Sequence, residues 1–341
     1  MACGPCTRGL GFSEKQEIRM TDNSTMTVQI ARKQTEAQDI CSLELRALPG
    51  QILPAFSAGA HIDVHLPGGL VRQYSLSNDS AEQDRYVIAV LREQASRGGS
   101  AAVHEQLQAG QQITISAPRN HFALQEGAQK HLLLAGGIGI TPILAMARQL
   151  AREQAEFELH YCARSRERMA FVDEIAAASW AQQLRLHVDG ETGKPALNLP
   201  ALLQPVQPGV HLYVCGPKGF MDAVLEAARA VGWPQEQLHY EFFAAEVEHR
   251  ADDASFEVEV ASTGKIVQVT PEQTVVQALE SIGVCVQTSC EQGVCGTCLT
   301  RVISGQPDHR DMYLTEEEQA ANDQFLPCCS RAKSGRLVLD L

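Results

Sequence analysis

Three cysteines within nine residues, Cys290, Cys295 and Cys298 in the segment CEQGVCGTC, constrain this chain more than any other feature. Thiols this close in sequence share one loop, and that loop holds a common centre, a redox pair or nothing. The start MACGPCTRGLGF lacks a basic stretch followed by a long apolar one, so no leader is expected. The longest apolar run, HLLLAGGIGITPILAMA at 131–147, holds three glycines and a proline and is short for a membrane span. The expectation is a cytoplasmic protein whose thiols stay reduced. Eleven cysteines in that setting point to metal or catalysis rather than disulfides. The formal charge of −13, without a basic stripe, argues against nucleic acid. An acidic surface suits small-molecule chemistry or a partner with a basic docking face.

The spacing C-x4-C-x2-C is that of a plant-type [2Fe–2S] loop, which needs a fourth cysteine from elsewhere. Cys328 and Cys329 in LPCCSRA are the available sources. Gly293 and Gly296 stand where a tight loop needs positive φ or close backbone approach. Loop N–H groups can then point at cluster sulfurs. A zinc site and unligated thiols are the other readings of these residues, since C-x4-C alone also suits zinc.

The length of 341 residues suggests two or three domains. Residues 26–125 carry short runs between Gly/Pro turns: MTVQIARK, CSLELRAL, HIDVHLP, QYSLSN, YVIAVLR and QITISAP. Evenly spaced strands of this kind predict an antiparallel β-barrel. Residues 126–244 alternate apolar strands with helical stretches, which predicts a parallel α/β sheet. The polar stretch 245–255 reads as a linker, and residues 256–341 open with strands FEVEVA and KIVQVT before a helix near VVQALESIG.

Residues 256–341 resemble a plant-type ferredoxin domain of β-grasp fold. CEQGVCGTC, DHRDMYLT and CCSRAKSGRLVLDL together are similar to the C-terminal domain of the phthalate dioxygenase reductase family. That resemblance implies a multidomain α+β and α/β chain: a flavin barrel, a nicotinamide domain and a ferredoxin domain in that order, from about residue 26 onward. It lays the family's fourth ligand on Cys328, leaving Cys329 in a variable place. If that segment is extended, the neighbouring thiol faces away.

The upstream motifs fit the same resemblance. Arg72-Gln73-Tyr74-Ser75 resembles the family's flavin signature. Arg72 is a forked cation suited to phosphate, Tyr74 offers an aromatic face to isoalloxazine, and Ser75 is a hydroxyl that can reach flavin N5. Taken alone, RQYSL reads equally well as a barrel strand. Arg97-Gly98-Gly99-Ser100 precedes a helical stretch, an arrangement that offers N–H groups to an anion. The resemblance assigns it the FMN phosphate. Gly136, Gly137, Ile138, Gly139, Thr141 and Pro142 form a Gly-rich strand-to-helix turn that is not the G-x-G-x-x-G fingerprint. By resemblance this turn borders the nicotinamide. So does the second turn, Cys215, Gly216 and Pro217 with Met221, whose cysteine the resemblance sets beside nicotinamide C4. In His239-Tyr240-Glu241-Phe242-Phe243 the resemblance makes Phe243 the aromatic over the flavin. Arg164, Arg166 and Arg168 follow FELHY where an adenosine ribose is expected, and they could grip a 2′-phosphate. The family's preference makes NADH the expected donor.

The implied function is that of a reductase component. Electrons pass from NADH through FMN and a [2Fe–2S] cluster to a Rieske non-heme iron oxygenase acting on an aromatic acid or similar small substrate. Two alternatives are a stand-alone NAD(P)H oxidoreductase with a small acceptor and a flavoprotein bearing a zinc-binding interaction module. Cys3-Gly4-Pro5-Cys6 matches a redox CxxC by letter. No strand precedes it, however, and Gly and polar residues follow. Residues 1–25 are expected to be an extension without a fold of its own.

Overall fold

The computed structural model describes residues 25–94, 98–189, 197–243, 250 and 253–341. The N-terminal extension up to residue 24, with its CxxC pair, therefore lies outside the described residues, as do Arg97 and most of the 245–255 linker.

The first unit is antiparallel. Strands β1 (Thr25–Ala37), β2 (Ile40–Ala47), β3 (His61–His65), β4 (Val71–Ser75), β5 (Tyr86–Leu91) and β6 (Gln112–Ser116) pair in the order β4-β3-β6-β1-β2-β5. The two edges meet where Leu76 bridges Ile88 and the Ser77 N–H donates to the Val87 carbonyl at 2.8 Å. The sheet thus closes into a barrel, which removes its free edges. Val28, Ile30, Leu43, Leu45, Ile62, Val64, Ile88 and Ile115 are fully buried inside it. Helix α1 (Gly99–Gln106) adds Ala102 and Val103 to the same core.

The second unit is a parallel sheet. Strands β7 (Lys130–Gly136), β8 (Phe157–Ala163), β9 (Leu184–Val188), β10 (Val210–Cys215) and β11 (Leu238–Glu241) lie in the order β11-β10-β7-β8-β9. Helices α2 (Ile140–Arg152), α3 (Val172–Ala177), α4 (Leu199–Leu202) and α5 (Lys218–Ala230) fall between the strands. A sheet covered on both faces needs apolar residues at successive positions, which is why β7 reads HLLLAG. Leu133 and Ala135 pack with Ile140, Ile143 and Leu144 of α2, whereas Leu132 and Leu134 pack with Met221, Val224 and Leu225 of α5.

The third unit is a mixed five-stranded sheet beside a separate two-stranded one. It contains β12 (Phe256–Val260), β13 (Lys265–Val269) and α6 (Val275–Ser281), then β14 (Thr300–Ser304), β15 (Pro307–Asp308) and α7 (Glu316–Ala321), and finally β16 (Gln324–Phe325), β17 (Arg331–Ala332) and β18 (Arg336–Leu339). The order β13-β12-β18-β14-β16 places the parallel β12–β18 pair centrally among antiparallel neighbours, as in a β-grasp. Helix α6 starts on a reciprocal cap: Thr274 accepts from the Gln277 N–H while the Gln277 side chain accepts from the Thr274 N–H. Among the described residues, no helix is long and apolar enough to cross a membrane.

Candidate functional site

The carboxyl end of β11 opens toward the barrel, where an open α/β sheet places its ligands. A cavity of about 430 Å³ lies there, lined by all three units. The barrel contributes His61, Arg72, Gln73, Tyr74 and Ser75; the parallel sheet contributes Glu241 and Phe243; the cysteine loop contributes Cys290 and Cys295. Ser75 and Phe243, more than 160 residues apart in sequence, thus share one space.

Inside it, the Ser75 hydroxyl donates to Glu241 Oε2 at 3.3 Å, and His61 Nδ1 lies 3.7 Å from Glu241 Oε1. Burial pushes the Tyr74 phenol well above its ordinary value, with Arg72 opposing. His61 Nε2 and Gln73 Nε2 are buried without a hydrogen-bond partner among the described residues. Polar atoms left this way call for a ligand that bonds them. Gln73 and Glu241 sat inside motifs read through their neighbours, while His61 escaped the sequence reading because only tertiary packing joins it to them.

At one edge of this space, Gly98 adopts φ +88° at the start of α1. Arg72 lies against Gly99, so closely that a side chain there would collide with it. The Ser100 hydroxyl accepts from the Glu93 N–H at 3.1 Å. Arginine, glycine and helix start therefore form a cradle that fits a phosphate.

The two Gly-rich turns of the parallel sheet pack on each other. A Cβ on Gly139 would lie 2.3 Å from the Cys215 carbonyl oxygen, and one on Gly216 would lie 2.9 Å from Gly136 Cα. Thr141 donates to the Ile138 carbonyl at 3.1 Å, and Pro142 is in the first turn of α2. Pro217 abuts Gly136. Cys215 is fully buried, and burial, then Glu241, pushes its thiol well above the ordinary range. Cys215 is not among the residues lining the cavity, and Met221 packs into the core beneath α5. Of the three loop arginines, Arg168 is paired with Asp39 of the barrel at 3.1 Å, while Arg164 and Arg166 are exposed.

Cys290, Cys295, Cys298 and Cys328 are all buried. Gly293 and Gly296 have φ of +72° and +70°. Among the described residues no three His, Cys, Asp or Glu side chains converge as ligands of a single ion. The thiols are linked in one chain instead, Cys295 to Cys290 to Cys328 to Cys298, with Cys329 also against Cys328. Bonds from Cys295 and Cys328 hold the Cys290 thiol far below its ordinary value, and the Gln292 N–H donates to its sulfur at 3.3 Å. Loop N–H groups aimed at sulfur fit an iron–sulfur centre.

The segment around Cys328 is a turn, not extended. The Cys329 and Ser330 N–H groups both bond the Leu326 carbonyl, at 3.3 and 3.0 Å. The Cys328 and Cys329 thiols are consequently in contact rather than on opposite sides.

Comparison with known proteins agrees with this geometry. Residues 258–333 match the 2Fe-2S iron-sulfur cluster binding domain, and residues 111–238 match the dimethylamine monooxygenase subunit DmmA-like N-terminal domain. The chain is 56% identical to a vanillate O-demethylase oxidoreductase of Pseudomonas sp. (strain HR199 / DSM 7063), over 89% of this chain and 96% of that one. It is 39% identical to the phthalate 4,5-dioxygenase oxygenase reductase subunit of Pseudomonas putida, over 94% of this chain and 98% of that one. The solved phthalate dioxygenase reductase, described as a modular structure for electron transfer from pyridine nucleotides to [2Fe-2S], superposes with a TM-score of 0.74 at 39% identity, covering 94% of this chain and 98% of that one. Three units in this order, with their motifs gathered at one junction, agree with such relatives along nearly their whole length: the chain belongs to the phthalate dioxygenase reductase family, together with the vanillate O-demethylase oxidoreductases.

Proposed function

We propose that this chain is the reductase component of an oxygenase, taking a hydride from NADH onto FMN and passing electrons singly through a [2Fe–2S] cluster to a Rieske non-heme iron partner. The observation that carries this reading is the shared cavity, whose wall includes Ser75, Phe243 and the cluster-loop cysteines Cys290 and Cys295. When bound, FMN supplies the step from a two-electron donor to a one-electron acceptor.

The chain's own residues supply placement. Arg72 and the Gly98–Ser100 helix start would hold the FMN phosphate. Tyr74 would flank the flavin, and the Ser75 hydroxyl, steadied by Glu241, would meet flavin N5. Phe243 would cover the ring face until nicotinamide displaces it. The stacked turns at Gly136–Pro142 and Cys215–Pro217 would bind the dinucleotide, and Cys215 would act from beneath the nicotinamide. Cys290, Cys295, Cys298 and Cys328 would hold the cluster. Three domains, at 26–125, 126–244 and 256–341, are supported by the separate apolar cores of the barrel and the ferredoxin unit. The pairing of Arg168 with Asp39 removes one cation from the ribose loop and supports NADH over NADPH. The partner is proposed to act on an aromatic acid, vanillate being the first to test, as the name of the 56% identical relative suggests.

The purified protein is expected to show flavin and [2Fe–2S] absorption together, both bleaching under anaerobic NADH. With a vanillate-demethylating oxygenase it should consume NADH in proportion to product. A spectrum with zinc and no iron would reject the reading. Rapid NADH oxidation by a small quinone without any coupling to an oxygenase would favour the stand-alone enzyme.

A further inference from the structure

We infer that a buried hydrogen bond between Ser289 and Asp63 pins the cluster loop to the flavin strand and thereby governs the rate at which electrons cross between them. The Ser289 hydroxyl donates to Asp63 Oδ1 at 3.0 Å, and the two residues are only 2% and 8% exposed. They are 226 positions apart, one in the barrel and one in the ferredoxin unit. The carboxylate is itself held: Arg119 Nη2 donates to its other oxygen at 2.7 Å, and the Asp63 N–H donates to Ser116 Oγ at 2.9 Å.

Each end of the bond is one step from a redox site. Asp63 is the register partner of Gln73 in β4, the strand that carries Arg72, Tyr74 and Ser75 into the cavity. Ser289 precedes Cys290, which lines the same cavity. The pin therefore ties the flavin strand to the cluster loop through two short, stiff links. Removing the hydroxyl strips Asp63 Oδ1 of a buried donor and frees the loop to shift or to admit water. Small misplacement of reacting groups is costly to rate. Asp63 and Ser289 are thus positioning residues, and their role rests on the electron order proposed above.

The test uses the holoprotein with Ser289→Ala, Ser289→Thr and Asp63→Ala. Anaerobic mixing with NADH follows flavin bleaching and cluster bleaching separately, and hydrogen exchange follows the amides of residues 287–295. Flavin reduction should be unchanged in all three. Cluster reduction should slow roughly tenfold in Ser289→Ala and Asp63→Ala, and Ser289→Thr, which keeps the hydroxyl, should recover most of it. Loop amides should exchange faster in the two alanine variants. Wild-type cluster rates and wild-type exchange in both would overturn the pin. Loss of iron from Ser289→Ala with a wild-type rate in Asp63→Ala would also overturn it, assigning Ser289 to loop building. A wild-type protein lacking flavin or cluster bands would reject the functional reading, while the exchange measurement would still decide the pin.

Discussion

Arg72 runs directly across Gly99: a methyl group on that glycine would lie 2.6 Å from Arg72 Cγ and 2.9 Å from its Nε. The colliding Cγ is near the root of the side chain, so the arginine could not swing aside cheaply. Gly99→Ala should therefore displace the guanidinium without removing it. FMN affinity is expected to fall about tenfold, the effect of about 1.4 kcal/mol of overpacking. Flavin retained after gel filtration, and titration of the flavin-free protein with FMN, measure it. Iron content should be unchanged.

The Ser75 hydroxyl bonds Glu241 across the boundary between barrel and parallel sheet. Ser75→Ala removes the hydroxyl proposed above to meet flavin N5. Flavin should remain bound while its reduction by NADH slows on the order of 10–100-fold. Stopped-flow flavin bleaching reads this directly. An unchanged rate would show that Ser75 only tethers Glu241.

Gly139 touches backbone rather than side chain. Its Cβ would lie 2.4 Å from the Cys215 carbonyl carbon, so Gly139→Ala has to separate the two turns. The variant should lose about 1–3 kcal/mol of stability and most of its NADH-dependent flavin reduction. Photochemical or dithionite reduction of the flavin should be retained. Gly137 is the control: a Cβ added there would meet nothing within 4 Å, so Gly137→Ala isolates the cost of its positive φ of 53° from any steric one.

These three sites show what a single sequence could disclose. The cysteine spacing was legible because its chemistry is local to one loop, whereas RQYSL and the Gly-rich turns took their flavin and nicotinamide readings from the family resemblance. The barrel was legible from six short strands with turn residues between them, and the parallel sheet from apolar strands alternating with helical stretches. Tertiary juxtaposition left no such trace. Nothing in HIDVH marks His61 as a neighbour of Glu241 or Asp63 as the acceptor of Ser289. The turn at Cys328–Cys329 was also hidden, because its folding back depends on the Leu326 carbonyl capturing two N–H groups.

Acid should weaken the parallel sheet. His131 and His239 flank Tyr213, with ring centroids at 5.6 and 4.6 Å, and burial first, then neighbouring histidines, holds both at about 4 rather than 6.5. The folded chain keeps these rings neutral while the unfolded chain protonates them. Their contribution to stability is therefore complete above 6.5 and is lost as the pH falls toward 4. His131→Phe keeps a ring beside Tyr213 and removes one such group. Urea unfolding at neutral pH and at about pH 4.5 should show a smaller acid loss in the variant, by on the order of 1–2 kcal/mol. Equal losses would mean that His131 is protonated in the folded protein.

Cys328 and Cys329 are adjacent, buried and in contact, yet their surroundings differ. Cys328 reaches Cys290 and Cys298, the first and third thiols of the loop. Cys329 faces the loop backbone: a Cβ on Gly293 would lie 2.4 Å from its sulfur, and its thiol lies 3.7 Å from the Leu326 carbonyl. Cys328 is accordingly expected to be the fourth ligand, with Cys329 packing under the loop. Cys328→Ser should lose most iron and acid-labile sulfide, because an alkoxide replaces a thiolate poorly on iron. Cys329→Ser is smaller and fits the same space, so its visible spectrum should persist. Gly293→Ala should resemble Cys328→Ser, since the new methyl meets the Cys329 sulfur while the backbone sits at φ +72°. Gly293→Ala combined with Cys329→Ala should recover part of the cluster by relieving that collision. Iron and sulfide per flavin decide each case. If Cys329→Ser loses its iron while Cys328→Ser keeps it, the ligand is one residue further along the turn.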